Sequence, residues 1–123
     1  NALKKDGWDV TSEQVRLIIA DRWMWIDIQA DKIDEKLSIL IEVKGFENIS
    51  SPIAYLHSVV GQYMVYRVVL DYLEWEHPLY LAVPDHAFND ILGEEIAVEV
   101  IKRVSMKILI FSVEREEITQ WKT

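Results

Sequence analysis

The 123 residues carry 13 Lys+Arg against 21 Asp+Glu, a net charge of −8, and 50% of them are hydrophobic, with five tryptophans and no cysteine. That is apolar mass enough for one ordinary domain with its own core; it excludes a disordered chain, a disulfide framework, a thiolate zinc site and a cysteine nucleophile. An acidic chain is also poorly suited to hold duplex DNA tightly by itself, because such binding relies on Lys and Arg that displace counterions.

Asn1 to Asp6 reads as the end of a helix, with Gly7 as its stop. Trp8–Thr11 and Val15–Ala20 read as two extended segments, the second rich in β-branched residues, and Trp23–Gln29 as a strand. Asp31 to Lys36 is a charged connection with some helical character, leading to a strand over Leu37–Lys44 that Gly45 ends. Ser51 and Pro52 form a helix start, since Ser caps and Pro fits the first helical position. That helix runs to about Leu73, with Ile53, Leu56, Val59, Val60 and Tyr63 at helical spacing. From Tyr63 to Leu70 nearly every face is apolar, which predicts a buried second half. Leu79–Val83 reads as a central strand stopped by Pro84; Ala87–Leu92 and Ile96–Val104 read as helices around Gly93; Lys107–Val113 is a further strand and the last ten residues an edge strand.

Three consecutive strands favour antiparallel pairing, and a helix crossing over to a buried strand favours a parallel neighbour. The fold class expected is therefore α/β, a mixed sheet flanked by helices, in a single domain over 1–123 with no repeat, linker or internal boundary. The apolar stretch around Val59–Leu70 is interrupted by Gln62, Tyr66 and Arg67 and is too short to span a bilayer. No signal peptide is visible and cysteine is absent, so the expectation is a cytoplasmic protein with no membrane partner; the chain begins at Asn1 rather than Met, which leaves room for residues before it.

Two strands carry acids where apolar residues belong. Asp27 stands between Ile26 and Ile28, and Glu42 lies in Leu40-Ile41-Glu42-Val43-Lys44. Alternation with period two puts Ile39, Ile41 and Val43 on one face and Leu40, Glu42 and Lys44 on the other. Burying a carboxylate costs several kcal/mol (roughly) unless it is paired or binds a metal. A plain reading is a salt bridge between Lys44 and Glu42, with Asp27 facing solvent. The sharper reading uses the chain between the acids as a hairpin: adjacent strands lie about 4.8 Å apart, so Asp27 and Glu42 can reach one hard cation, Mg²⁺ or Mn²⁺, with the Val43 carbonyl as a third oxygen ligand. Lys44 then orients the attacking water or offsets charge on a phosphate. Gln62 and Tyr66 stand four apart on one helical face, either as a satisfied core amide and its neighbour or as support for that site.

Asp27, Glu42-Val43-Lys44 and Gln62-Tyr63-Met64-Val65-Tyr66, in a helix–strand–strand–strand–helix–strand order, resemble the PD-(D/E)xK restriction-endonuclease-like superfamily, the Gln-x3-Tyr motif resembling its RecB-like members. Lys5-Asp6-Gly7-Trp8, the aromatics before Ile26-Asp27, Ile41-Glu42-Val43-Lys44, Ser51-Pro52-Ile53-Ala54, Gly61-Gln62-Tyr63 and Leu79-Tyr80-Leu81-Ala82-Val83-Pro84 narrow this: from about Asn1 to Phe111 the chain resembles the XisH family, the fdxN element excision controlling factors of cyanobacterial DNA rearrangement. The resemblance implies an endonuclease-like core, a catalytic set of Asp27, Glu42, Lys44, Gln62 and Tyr66, Mg²⁺ at Asp27 and Glu42, and a role in programmed excision of a DNA element beside a XisI-type protein and a recombinase. Nuclease relatives often carry a further acid in the first helix; Asn1 to Lys5 has none, and Ile26 replaces the proline before Asp27.

His57, His77 and His86 lack ligand spacing and read as surface or capping residues, and no phosphate-binding glycine loop or serine-nucleophile motif is present. Lys102, Arg103 and Lys107 form the densest basic group, read either as phosphate contacts or as an ordinary helix C-terminus. Glu114, Glu116 and Glu117 read as a solvated edge, and Trp75 and Trp121 as partner anchors or local cover. Three functions stay open on the sequence: an Mg²⁺-dependent DNA nuclease, a catalytically silent accessory module acting through a XisI-type partner, and an α/β domain with a buried ion pair. The apolar surface of the long helix allows a homodimer.

Overall fold

The stretch after Gly7 forms one long hairpin rather than separate short strands. In the computed structural model, which describes residues 2–45 and 51–122, a short helix α1 (Ala2–Lys5) precedes strands β1 (Asp9–Ile19) and β2 (Arg22–Lys32). Asn1 and Thr123, the outer ends of the expected first helix and last strand, lie outside the described residues. The two segments expected over Trp8–Thr11 and Val15–Ala20 are one strand, because the exposed polar run between them keeps its register with β2 on both sides of Gln14. Ala20 (φ 46°) and Asp21 (φ 66°) close the hairpin as a two-residue turn with both residues left-handed, the geometry that matches strand twist. β2 also runs past Gln29, through Asp31 and Lys32, so that only Ile33–Glu35 forms a 3-10 turn before β3 (Leu37–Val43).

Ser51 starts α2 (Pro52–Tyr72) as expected: its hydroxyl accepts from the Ala54 N–H at 3.1 Å and Pro52 occupies the first turn. The chain then passes through β4 (Leu79–Pro84), α3 (Asp85–Ala87), a π-helical turn over Phe88–Leu92, α4 (Glu95–Val104), β5 (Lys107–Ser112) and β6 (Glu117–Lys122). Pro84, expected to stop β4, is its last residue. The helix expected over Ala87–Leu92 is displaced into α3 and the π turn, and Gly93 follows where a Cβ would meet the Phe88 carbonyl at 3.0 Å.

The strands make one six-stranded mixed sheet in chain order. β1–β2, β2–β3 and β5–β6 are antiparallel; β3–β4 and β4–β5 are parallel, with α2 as the first crossover. Alternation divides the core in two. Leu40, Leu81, Val83, Ile108 and Ile110 face α2 and α4, meeting Leu56, Val59, Tyr63, Leu70 and Ala97. Ile39, Ile41, Ala82 and Leu109 face the other way, toward Leu3 of α1 and Trp8. Trp121 closes that second core, packing on Trp8 (5.7 Å between centroids) and edge-on to Tyr80 (5.1 Å), and so acts as local cover.

The apolar second half of α2 is not buried all round. Only one side meets the sheet, and Val65 (53%), Val68 (59%) and Tyr72 (74%) are exposed on the other. The cause is architectural: the described residues place no layer over that side. Gly61, at mid-helix, has nothing within 4 Å of where a Cβ would stand. Glycine inside a helix costs about 1 kcal/mol relative to alanine, and packing among the described residues gives no reason for it. No helix among the described residues is long and apolar enough to cross a membrane.

Candidate metal centre

The site forms where β2 and β3 part. Their ladder ends at Ile28–Ile41, one position short of Asp27 and Glu42. Beyond that point side chains take over from backbone. The Asp27 N–H donates to Glu42 Oε1 at 3.3 Å, and the Val43 N–H donates to Asp27 Oδ2 at 2.8 Å. On its other edge β3 stays paired: the Lys44 N–H donates to the Ala82 carbonyl at 2.9 Å. A strand residue sends its N–H and C=O to the same edge, so the Val43 carbonyl lies on the Asp27 side.

β1 and β2 explain why they part there. Their pairing passes from Glu13–Ile28 to Val15–Ile26 and skips Gln14, which has a left-handed φ of 55°. Ile28 and Ala30 pack in the core beneath α1, whereas Met24 and Ile26 pack in the core beneath α2. The face that β2 presents therefore changes at Asp27, and the outer hairpin bends away from β3. Nothing in the composition around Gln14 marks this, since a non-glycine residue with positive φ leaves no sequence signature.

α2 supplies the rest. Gln62 Nε2 donates to Glu42 Oε2 at 3.0 Å and to the Tyr66 hydroxyl at 3.3 Å, so the glutamine meets the carboxylate and the tyrosine four residues on holds the glutamine. Gln62 Oε1 is shielded from solvent and has no hydrogen-bond partner among the described residues. Glu42 is only 8% exposed and, with Ser112, is one of two buried polar residues described. Its carboxyl is pushed up from 4.5 to about 7, first by burial and then by the Asp27 charge beside it. A side-chain hydrogen bond from the protonated Glu42 carboxyl to Asp27 adds to the rise; the Asp27 N–H and the nearby Lys44 charge oppose it without cancelling it. Asp27, Glu42 and Val43 are thus joined by hydrogen bonds, Gln62 is bonded to Glu42, Tyr66 touches only Gln62, and Lys44 is near enough to act through its charge. Asp27 is half-exposed, with its carboxylate held by the Val43 N–H.

The donor set fits a hard divalent cation. Two like charges are held together with too little positive charge to neutralise them, and a cation removes that repulsion. No cluster of three or more acidic or histidine ligands exists among the described residues, so the protein offers two carboxylates and a backbone carbonyl. That suits Mg²⁺, which keeps several waters, better than Ca²⁺ or Zn²⁺. The unpaired Gln62 Oε1 can accept a hydrogen bond from such a water.

The other sequence candidates lie apart from this centre. His77, expected at the surface, is half-buried against Trp75 (5.3 Å between centroids), with Nδ1 shielded and unpartnered among the described residues. His86 sits 3.8 Å from Asp85. Lys102 and Arg103 occupy the last turn of α4, where Arg103 pairs with Glu99 at 2.9 Å, and the Lys107 ammonium lies 5.9 Å over the Tyr80 ring. The acids Glu114, Glu116 and Glu117 lie in or beside the β5–β6 turn, Glu117 paired with Arg115 at 3.3 Å.

The family model described as XisH protein matches residues 1–119. Two solved structures are similar over nearly the whole chain. An XisH family protein from Nostoc punctiforme PCC 73102 is 34% identical, with a TM-score of 0.89, over 99% of this chain and 93% of that one. A fdxN element excision controlling factor protein from Anabaena variabilis is likewise 34% identical, with a TM-score of 0.89, over 99% of this chain and 92% of that one. No curated protein matches the chain.

Proposed function

The chain belongs to the XisH family, and we propose that it is a DNA-processing factor in programmed excision of a DNA element, acting through an endonuclease-like, Mg²⁺-dependent site of the PD-(D/E)xK kind. One observation carries this reading: Asp27 and Glu42 meet on one side of the sheet where β2 and β3 part, with Gln62 bonded to Glu42 and Lys44 beside them. A bound Mg²⁺ or Mn²⁺ polarises a phosphodiester and lowers the pKa of a bound water.

The chain's own groups do the rest. Asp27, Glu42 and the Val43 carbonyl hold the cation. The Asp27 and Glu42 side chains are already fixed by backbone N–H donors, so little reordering is needed. Lys44 orients the attacking water and offsets negative charge gathering on the phosphate. Gln62 fixes Glu42 through its Nε2 and offers its Oε1, unpartnered among the described residues, to a water; Tyr66 fixes Gln62. DNA, a XisI-type protein and a recombinase are the partners in this role. The direct test is cleavage of linear, supercoiled and single-stranded DNA with Mg²⁺ or Mn²⁺. Lys44→Ala should lose activity and keep its fold; equal cleavage by both proteins removes the assignment.

A net charge of −8 favours a second reading, in which the chain is a catalytically silent module and a XisI-type partner supplies the basic surface. Capture of a XisI-type protein, with no cleavage by the chain alone or by the pair, selects it. Tight binding of DNA by the lone chain at physiological salt excludes it.

A further inference from the structure

The exposed side of α2 is built to meet itself, and we propose that two copies of the chain associate through it, antiparallel, about a two-fold axis at Gly61. At 3.6 residues per turn, Ala54, His57, Ser58, Gly61, Val65, Val68 and Tyr72 fall on one stripe. All seven are exposed, and none is Asp, Glu, Lys or Arg.

Three features choose a second copy over a different protein. The first is charge. On a chain of net charge −8, a surface that meets its own duplicate must lack unpaired charge, because each acid would face the same acid or its neighbours. A different partner imposes no such demand. The second is shape. A two-fold at Gly61 sets Ala54 opposite Val68, Ser58 opposite Met64 and His57 opposite Val65. The first two pairs set a small residue of the N-terminal half of the helix against a larger one of the C-terminal half, so a single sequence supplies both ridge and groove. The third is Gly61 itself, within one residue of the middle of a 21-residue helix. Its missing Cβ serves no packing among the described residues. On the axis it lets two backbones approach closely, the use small residues have at helix crossings.

The carboxylate pair stays open in this arrangement. Gln62 is about 100° around the helix from Gly61 and Tyr66 further still, so dimerisation and cation binding are separable, and the proposal stands whether or not the site cleaves DNA. The stripe from Ala54 to Tyr72 is roughly 27 Å long and one helix wide, at the low end of specific interfaces, so the dimer should dissociate on dilution.

Sedimentation of the purified chain over a dilution series should show the mass rising from 14.4 kDa toward twice that value. A mass of 14.4 kDa at every concentration overturns the proposal. Val68→Glu should remain monomeric, with unchanged far-ultraviolet circular dichroism and an unchanged Mn²⁺ titration; dimerisation as in the wild type overturns the proposal. The chain has no cysteine, so Gly61→Cys introduces a single thiol. A disulfide needs Cα atoms within about 7 Å, so oxidation should give a covalent dimer with Gly61→Cys and none with Glu99→Cys on α4. The opposite pattern refutes the axis.

Discussion

Glu42→Gln tests the electrostatics of the site without changing its shape. In the wild type the carboxyl sits at about 7 in the folded chain against 4.5 ordinarily. Between those values the folded protein holds a proton that the unfolded chain has released, so raising the pH destabilises the fold. The contribution is fully present below 4.5, falls by about 1.4 kcal/mol per pH unit and levels off above 7, a total of roughly 3 kcal/mol. Glutamine removes that dependence. Its carbonyl can still accept from the Asp27 N–H, and its amide can donate to Gln62 Oε1, now unpaired, if Gln62 turns over. With about 1 kcal/mol set against that rearrangement, the variant should be more stable than the wild type by about 1–2 kcal/mol at pH 8, and no more stable at pH 4.5. Urea unfolding of both proteins across this range, with chelator present, reads the difference and cancels every group they share. A difference that does not change with pH, or a variant less stable than the wild type at pH 8, refutes the reasoning.

Three further outcomes follow from the same contacts. A cation must displace the Glu42 proton, so Mn²⁺ affinity by calorimetry should fall as pH drops below about 7, approaching tenfold per unit, and Asp27→Asn should abolish the heat. The Tyr63 hydroxyl donates to the Leu79 carbonyl at 2.8 Å and accepts from the Lys107 N–H at 3.2 Å, tying together the starts of β4 and β5. Tyr63→Phe strands both groups and should lower the unfolding free energy by about 1–3 kcal/mol in urea titrations. Ser51→Ala removes the cap on the Ala54 N–H and should lower it by about 1 kcal/mol, seen as a drop of a few degrees in Tm.

Much of the site was legible because strand periodicity is rigid. Once Leu37–Val43 is a strand, Glu42 must share the side of Leu40, away from Ile39 and Ile41, and the cores divide in that way. Gln62 and Tyr66 meet for the same kind of reason, since residues four apart on a helix are neighbours. The convergence of Asp27 with Glu42 had weaker support. It needed the hairpin register and a local change of face at Asp27, which depends on the left-handed Gln14 across the strand pair. The exposed half of α2 was misread because an apolar helix looks the same in sequence whether a second layer or a second chain covers it.

The sequence by itself determined most of the elements, their pairing sense and which residues of β3 and α2 share a face, because those follow from short-range periodicity and capping. Only the tertiary structure decided where the β2–β3 ladder ends, how far Glu42 is withdrawn from water and which helix face is left bare. Those depend on bends and on distances between segments far apart in the chain, and no local pattern of residue types encodes them.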